Sequence, residues 1–149
     1  MGILRGPFFV TSLASPPSPV DLAMFFSVVI PTYNRRPILE KCLRALEQQR
    51  LEACIAGYEV VVVDDGSTDD TVAWLQREAP RYPHVRLIQQ DHGGPAAGRN
   101  RGVEHANGDV IVFIDSDLVV TETFLLSHAR ALSGSGSRPA TASASPTAR

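Results

Sequence analysis

The chain is 149 residues long and 44% apolar, which suits one compact domain with its own core and excludes a multidomain interpretation of these residues. Sixteen acidic residues against fourteen lysines and arginines leave a net charge of −2, so there is no electrostatic footprint for nucleic acid. No apolar run approaches the roughly 18 residues of a membrane span, and the single lysine, Lys41, excludes a GxxxxGK[ST] phosphate-binding loop.

Residues 1–23 are interrupted by prolines without a steady apolar period, and they predict an unstructured leader. Four apolar, β-branched runs follow and predict strands buried on both faces. The runs cover 25–30, 58–63, 85–88 and 110–114. Pro31 is expected to end the first strand. The strand starts are about 25 to 33 residues apart, the length of βαβ units, so the predicted fold class is α/β: a Rossmann-like parallel sheet with helices on both faces.

Helical patterns lie between and after these strands. The first helix is predicted by an apolar stripe of helical period: Ile38, Leu39, Cys42, Leu43 and Leu46. Ser67 and Asp70 resemble a capping box for the second helix, and Pro95 is expected to open the third. Asn107-Gly108 is expected to close the third helix by C-cap chemistry, and residues 121–132 carry the last apolar stripe.

The tail and the cysteines bear on domain limits and compartment. Residues 133–149 are rich in Ser, Ala and Gly and predict a disordered tail, which leaves residues 24–132 as the folded domain. Cys42 and Cys54 have neither disulfide-framework nor zinc-ligand spacing. A reducing cytoplasm is therefore expected, with peripheral attachment to the inner membrane face as the alternative location.

Acidic residues follow directly on two of the buried strands. In a parallel sheet, ligands bind beyond the carboxyl ends of the strands, so segments 31–35, 64–67 and 115–117 are expected to converge on one edge. Asp115 and Asp117 suit a hard cation such as Mg²⁺ or Mn²⁺, which takes carboxylates together with substrate phosphates. The alternative is that both residues only form the turn before the last helix.

Other candidate positions have equally simple structural explanations. Asp64 and Asp65 either accept hydrogen bonds from a base or sugar, or form the turn before the next glycine. Gly94 and Arg99 either bring backbone N–H groups and a cation to a phosphate, or belong to a helix whose small residues let it approach the sheet. His92 is the one histidine in a candidate cleft.

In order and spacing, four segments, SVVIPTYNRR, YEVVVVDDGSTDDT, GGPAAGRNRG and GDVIVFIDSD, closely resemble the nucleotide-binding half of family 2 glycosyltransferases, which have a GT-A fold. The resemblance covers roughly residues 25–132. It implies a nucleotide-sugar donor, with a UDP-sugar favoured, held with Mg²⁺ or Mn²⁺ for inverting transfer to a glycan or lipid acceptor. Neither nucleic acid nor a transmembrane segment is implied.

By position, the resemblance implies that Pro31 and Tyr33 flank the base and that Asp65 hydrogen-bonds it. Asp115 is then expected near the ribose, and Asp117 becomes the main metal ligand of a DxD motif.

The resemblance also implies that Asp64 supports the loop of the base site, and that Gly94 and Arg99 lie near the base and diphosphate. The general base of such enzymes comes from a later, acceptor-binding half. No Asp or Glu follows Leu132, and Glu122 lies in the wrong segment, so the catalytic residue is unassigned. The composition therefore leaves a second interpretation: a truncated or frameshifted product that only binds nucleotide, or is a remnant without function.

Two further families share an apolar strand followed by acids. Residues 112–119 match the hhhhDxDx[TV] pattern of haloacid dehalogenases, and paired acids after a strand also occur in response-regulator receivers. Both need a lysine after the acidic cluster, whereas Lys41 precedes every such cluster.

Overall fold

The computed structural model describes residues 22–134, so the predicted leader and most of the predicted tail lie outside the described residues. The strands are β1 (Met24–Thr32), β2 (Ile55–Asp64), β3 (Val85–Gln89) and β4 (Val110–Phe113). The helices are α1 (Arg36–Leu46), α2 (Thr71–Glu78), α3 (Pro95–His105) and α4 (Phe124–Gly134), with a 3₁₀ turn at Ala79–Arg81. Because α4 runs to Gly134, two residues assigned to the tail belong to this helix, and Ser133 Oγ donates to Ala129 O within it.

The four strands form one parallel sheet in the order β3-β2-β1-β4. The chain moves outward from β1 through β2 to β3, and then returns to place β4 on the other side of β1. The strand order therefore reverses between β1 and β4, which is where open α/β sheets bind ligands. The predicted parallel α/β sheet is confirmed.

Alternate residues of the central strands face two cores of unequal size. On one face Val28 of β1 and Val62 of β2 pack with residues of α1, α2 and α4. On the other face Val29, Val61 and Val63 form a smaller cluster, which α3 covers. Helices therefore cover both faces, as predicted, and the central strands are apolar on both sides because neither side meets water.

Small residues let α3 lie directly on the sheet. Gly98 and Gly102 are its buried residues. A Cβ added at Gly102 would collide with the Val29 side chain, and one at Gly98 would lie 3.0 Å from the Pro31 Cβ. Close helix packing is therefore the structural role of these two glycines.

The prediction that Pro31 ends β1 is wrong, because the strand continues to Thr32. The Thr32 carbonyl faces β2 and accepts from Asp65 N–H, so the Pro31 nitrogen points the other way, toward β4. The pairing of β1 with β4 ends at Val29–Phe113, two residues before the proline. Pro31 therefore lies where the pairing with β4 stops, a position at which a sheet tolerates a residue without an N–H.

The predicted capping box at the start of α2 is absent. Ser67 Oγ instead accepts the Asn34 N–H at 2.9 Å, and Asp69 Oδ1 accepts the N–H of Thr71, the first helical residue, at 3.0 Å. Asp70, in the N-cap position, makes no side-chain cap and contacts Arg36 Nη1 at 3.1 Å.

The prediction that Asn107-Gly108 closes α3 is also wrong, since the helix ends at His105. The buried Glu59 accepts hydrogen bonds from Ser27 Oγ and from Asn107 N–H, each at 2.7 Å. Gly108 N–H donates to Ser27 Oγ at 2.8 Å. The segment after α3 is therefore fastened to β1 and β2 through buried polar groups.

Candidate functional site

The carboxyl ends of β1, β2 and β4 open onto one cleft of about 560 Å³. Six of the eight residues predicted for the site line it: Pro31, Tyr33, Asp65, Arg99, Asp115 and Asp117. The predicted convergence on one sheet edge is therefore present, at the point where the strand order reverses. Asp64 and Gly94 do not line the cleft. Gly94 N–H donates to Asp65, which lines it, and Asp64 accepts the Ser67 N–H of an adjoining loop.

Asp65 is the centre of one end of the cleft. Its side chain is buried. Its two carboxylate oxygens accept three hydrogen bonds from the loop at residues 90–94 and lie close to the His92 ring of the same loop. Oδ1 accepts Gln90 Nε2 at 2.7 Å and Gly93 N–H at 2.8 Å. Oδ2 accepts Gly94 N–H at 2.9 Å and lies 2.9 Å from His92 Nδ1. The 90–94 loop is thus ordered around one carboxylate.

Burial acts to raise the pKa of the Asp65 carboxyl. The hydrogen bonds from Gln90, Gly93 and Gly94, together with the nearby His92, outweigh burial and hold this pKa below its ordinary value. Asp65 is therefore ionised at neutral pH.

Tyr33 and His92 form the aromatic part of this end. Their ring centroids are 4.5 Å apart and the ring planes are tilted by 36°. Tyr33 is 41% exposed and lines the cleft, with His92 packed against its ring. A partly exposed aromatic ring beside an ionised, buried carboxylate suits a planar ligand that carries an N–H donor.

Asn34 joins the loop after β1 to the loop after β2. Its φ of 51° is left-handed, a conformation that asparagine adopts more readily than most residues. Its Oδ1 accepts Thr68 N–H at 2.7 Å and Asp69 N–H at 3.1 Å. Asp64 Oδ2 supports the same loop by accepting Ser67 N–H at 3.0 Å. These bonds fix the wall that carries Tyr33.

The N-terminus of α3 faces the middle of the cleft. Gly94 is its N-cap at a φ of 89°, a conformation that favours glycine, and Pro95 occupies the first helical position, where its missing N–H is harmless. Arg99, one turn further along, lines the cleft. Helix N-termini with an adjacent cation attract anions.

Asp115 and Asp117 form the other end of the cleft, and each contacts an arginine. Arg99 Nη2 lies 3.1 Å from Asp115 Oδ1, and Arg35 Nη1 lies 3.7 Å from Asp117 Oδ2. All four side chains are roughly half exposed. Exposed pairs of this kind contribute about 0–1 kcal/mol, so a charged ligand can replace either partner at little cost.

The donor set at this end decides what cation fits. Two carboxylates from one strand end suit a hard cation that completes its shell with substrate phosphates and water. Within residues 22–134, no three or more His, Cys, Asp or Glu side chains cluster as metal ligands. The residues therefore fit a Mg²⁺ or Mn²⁺ that is shared with a substrate, and they do not fit an all-protein metal site.

Sequence reasoning placed Asn34, Arg35 and Ser116 in the converging segments but gave them no individual role. Arg35 and Ser116 line the cleft, and Asn34 orders its wall. Gln90 was missed, because its role depends on a contact across 25 residues of sequence.

The fold and the cleft define a class of protein, an α/β domain with a polar cleft at its strand-order reversal. The glycosyl transferase family 2 model matches residues 27–137, and the chain belongs to this family. Because the chain belongs to this family, the haloacid dehalogenase and response-regulator interpretations no longer apply.

Relatives and solved structures agree with the family assignment. The chain is 40% identical over 91 residues to YibD, an uncharacterized glycosyltransferase of Escherichia coli (strain K12), covering 61% of this chain and 25% of YibD. Staphylococcus aureus TarS 1–349 in complex with UDP-GlcNAc has a TM-score of 0.65 and 32% identity over 74% of this chain and 32% of TarS 1–349. The mannosyltransferase PcManGT of Pyrobaculum calidifontis, in complex with GDP-Man and Mn²⁺, has a TM-score of 0.67 and 30% identity over 78% of this chain and 34% of PcManGT.

The chain thus spans about a quarter to a third of the length of these proteins. Across residues 22–134, moreover, none of the helices is both long enough and apolar enough to span a membrane.

Proposed function

We propose that the cleft binds a nucleotide-diphosphate sugar together with Mg²⁺ or Mn²⁺, as the donor-binding part of an inverting glycosyltransferase. One observation carries the proposal: a buried carboxylate beside a partly exposed aromatic ring and a pair of exposed carboxylates paired with arginines share one cleft. The first group suits a base and the second a metal-bound diphosphate. The TarS and PcManGT complexes, with UDP-GlcNAc and with GDP-Man and Mn²⁺, support the same ligand class.

At the base end, Pro31 and Tyr33 flank the base, and Asp65 is its polar partner. Asp64 contributes indirectly, because its carboxylate holds the Ser67 N–H of the adjoining loop. A UDP-sugar is the preferred donor in this proposal.

At the diphosphate end, Asp117 is the main metal ligand, and Asp115 lies beside it near the ribose. When bound, the cation neutralises the nucleoside diphosphate that departs. Arg99 and the α3 N-terminus at Gly94 stabilise the remaining negative charge. Release of Arg99 from Asp115 frees its guanidinium for the phosphate oxygens.

Transfer also needs a group that accepts the acceptor's proton. The cleft-lining carboxylates of residues 22–134 are Asp65, Asp115 and Asp117, and all three have donor-binding roles here. This observation favours a second candidate function, nucleotide binding without transfer by this chain alone. The acceptor in this proposal is a glycan or a lipid. The free thiols of Cys42 and Cys54 support a reducing compartment such as the cytoplasm.

The test is a calorimetric titration of the full chain with UDP and with GDP, with and without Mn²⁺. We expect metal-dependent binding that Asp117→Ala weakens at least tenfold, because the cation loses its main protein ligand. Asp91→Ala is the matched control, since Asp91 is exposed and does not line the cleft.

A folded wild-type chain that binds neither nucleotide would contradict the proposed function. Binding that is indifferent to Mn²⁺ and to Asp117→Ala would contradict the metal site alone.

A further inference from the structure

His92 lies where the two recognition groups of the base end meet. Its ring packs on Tyr33 at a centroid distance of 4.5 Å, and its Nδ1 lies 2.9 Å from Asp65 Oδ2 and 3.1 Å from the Asp65 carbonyl oxygen. The imidazole is itself a planar ring that carries an N–H donor. It therefore makes, with the chain's own atoms, the two contacts that a planar N–H ligand would make there.

Three hydrogen bonds and the His92 ring surround the carboxylate of Asp65 in this arrangement. An ionised carboxylate offers about four lone-pair positions. Gln90 Nε2 and Gly93 N–H take two at Oδ1, and Gly94 N–H takes one at Oδ2. His92 Nδ1, which is hydrogen-bonded to the Asp65 carbonyl oxygen at 3.1 Å, covers the fourth position at 2.9 Å from Oδ2. An incoming N–H donor must therefore displace one of these four groups.

His92 is the group that can leave without disturbing the loop. The Gly93 and Gly94 bonds are backbone bonds that fix the chain, and the Gln90 side chain is partly buried. Gly66, at a φ of 77°, permits close backbone approach, since a Cβ there would lie 3.0 Å from His92 N.

The His92 side chain, in contrast, is 60% exposed. Rotation about its Cα–Cβ bond swings the ring into solvent while every backbone bond of the loop is kept. This rotation uncovers the Tyr33 face and one lone-pair position of Asp65.

We propose that the His92 imidazole is an internal stand-in for the nucleotide base, which fills the slot between Tyr33 and Asp65 in the free protein and is displaced when the base enters. This inference rests on the proposed function, because it takes the cleft as a nucleotide site. His92 thereby lowers the affinity for every base, since part of the binding free energy goes into moving the ring. It also favours bases with a ring N–H, such as uracil and guanine, because a ring N–H takes the place of the imidazole N–H beside Asp65.

The experiment uses the full chain and its His92→Ala variant, titrated calorimetrically with UDP and with CDP in the presence of Mn²⁺. We expect His92→Ala to bind UDP about three- to tenfold more tightly than the wild type, the size of one competing hydrogen bond. CDP, whose base lacks a ring N–H, should bind the wild type more weakly than UDP. His105→Ala is the matched control, because His105 lies at the far end of α3 and does not line the cleft.

A second readout follows the ring itself. In the wild type, the His92 Cε1–H resonance should shift on saturation with UDP as the ring leaves Tyr33, while that of His105 stays unchanged. Equal or weaker UDP binding by His92→Ala, or an unshifted His92 resonance in UDP-saturated protein, would overturn the stand-in role. Absence of UDP binding in both folded proteins would instead overturn the proposed function, and this inference with it.

Discussion

At the scale of single residues, Asp65 links the loop after β2 to the loop that precedes α3. Its oxygens face only donors: two backbone N–H groups, the Gln90 amide and His92. An ionised aspartate can face all of these donors, because its carboxylate carries no proton and only accepts hydrogen bonds. The residue is therefore needed to order the cleft before any ligand enters.

Asp65→Asn tests this role with the smallest possible change. The asparagine amide group must point at one of the donors, so one side of the loop loses its partner. We expect a loss of about 1–3 kcal/mol in the free energy of unfolding. UDP affinity should fall more than tenfold, because the base end is no longer ordered. Urea unfolding followed by Trp74 fluorescence and a UDP titration measure the two effects.

Asp91→Asn makes the same chemical change at an exposed neighbouring carboxylate and should alter neither quantity. Wild-type UDP affinity in Asp65→Asn would show that the carboxylate is not required for the cleft.

At the scale of elements, the strands and their parallel order follow from local sequence, since a strand buried on both faces is marked by an unbroken apolar run such as Val60–Val63. The convergence of strand ends follows from parallelism. The element ends are less predictable because they depend on contacts distant in sequence. The Asn107 N–H bonds Glu59, 48 residues away, and this bond, absent from any local pattern, fixes the chain after α3.

The same distinction applies to the site. Asp115 and Asp117 are visible in the sequence because they follow a buried strand directly. The groups that surround the Asp65 carboxylate cannot be recognised in the sequence, because Gln90, His92 and Gly93 reach it across at least 25 residues.

Glu59 is the polar group that holds the amino-terminal edge of β1 and β2 to the segment after α3. Burial acts to raise its pKa, but hydrogen bonds from Ser27, Asn107 and Arg86 outweigh burial and hold the pKa below its ordinary value. The folded state therefore favours the ionised form. This preference stabilises the fold fully at neutral pH, and the stabilisation is lost as the pH falls through the folded-state pKa.

Glu59→Gln should lower the free energy of unfolding at pH 7 by about 1–3 kcal/mol, because its amide faces donors that the carboxylate accepts. The difference from wild type should shrink as the pH falls below the ordinary pKa of a glutamate, since the wild type then loses the charge as well. Urea unfolding at a series of pH values measures both.

Glu104→Gln is the control, because the Glu104 side chain is 62% exposed and pairs with Arg101 at the surface. A difference between Glu59→Gln and wild type that does not change with pH would contradict the assigned role of the charge.

At the scale of the whole molecule, two cores of different size share one sheet. The larger core contains side chains of α1, α2 and α4, whereas the smaller one lies under α3. Leu43 is fully buried in the larger core, and Ile111 is only partly buried at the smaller one. The two side chains have the same number of atoms, so truncating each to alanine compares the two faces directly.

Leu43→Ala should cost about 2–5 kcal/mol, because its site in the larger core is enclosed on all sides. Ile111→Ala should cost about 1–2 kcal/mol, because β4 is the last described strand on its side and its outer face retains contact with water.

Trp74, the single tryptophan, lies in the larger core, whereas circular dichroism reports on all helices and strands. Both probes should give one coincident transition in either variant, since β1 and β2 belong to both cores and neither face can unfold without them. Equal costs would contradict the inequality of the two cores. Separate transitions in Ile111→Ala would mean that α3, which carries the N-terminus at the middle of the cleft, unfolds independently of the sheet on which it packs.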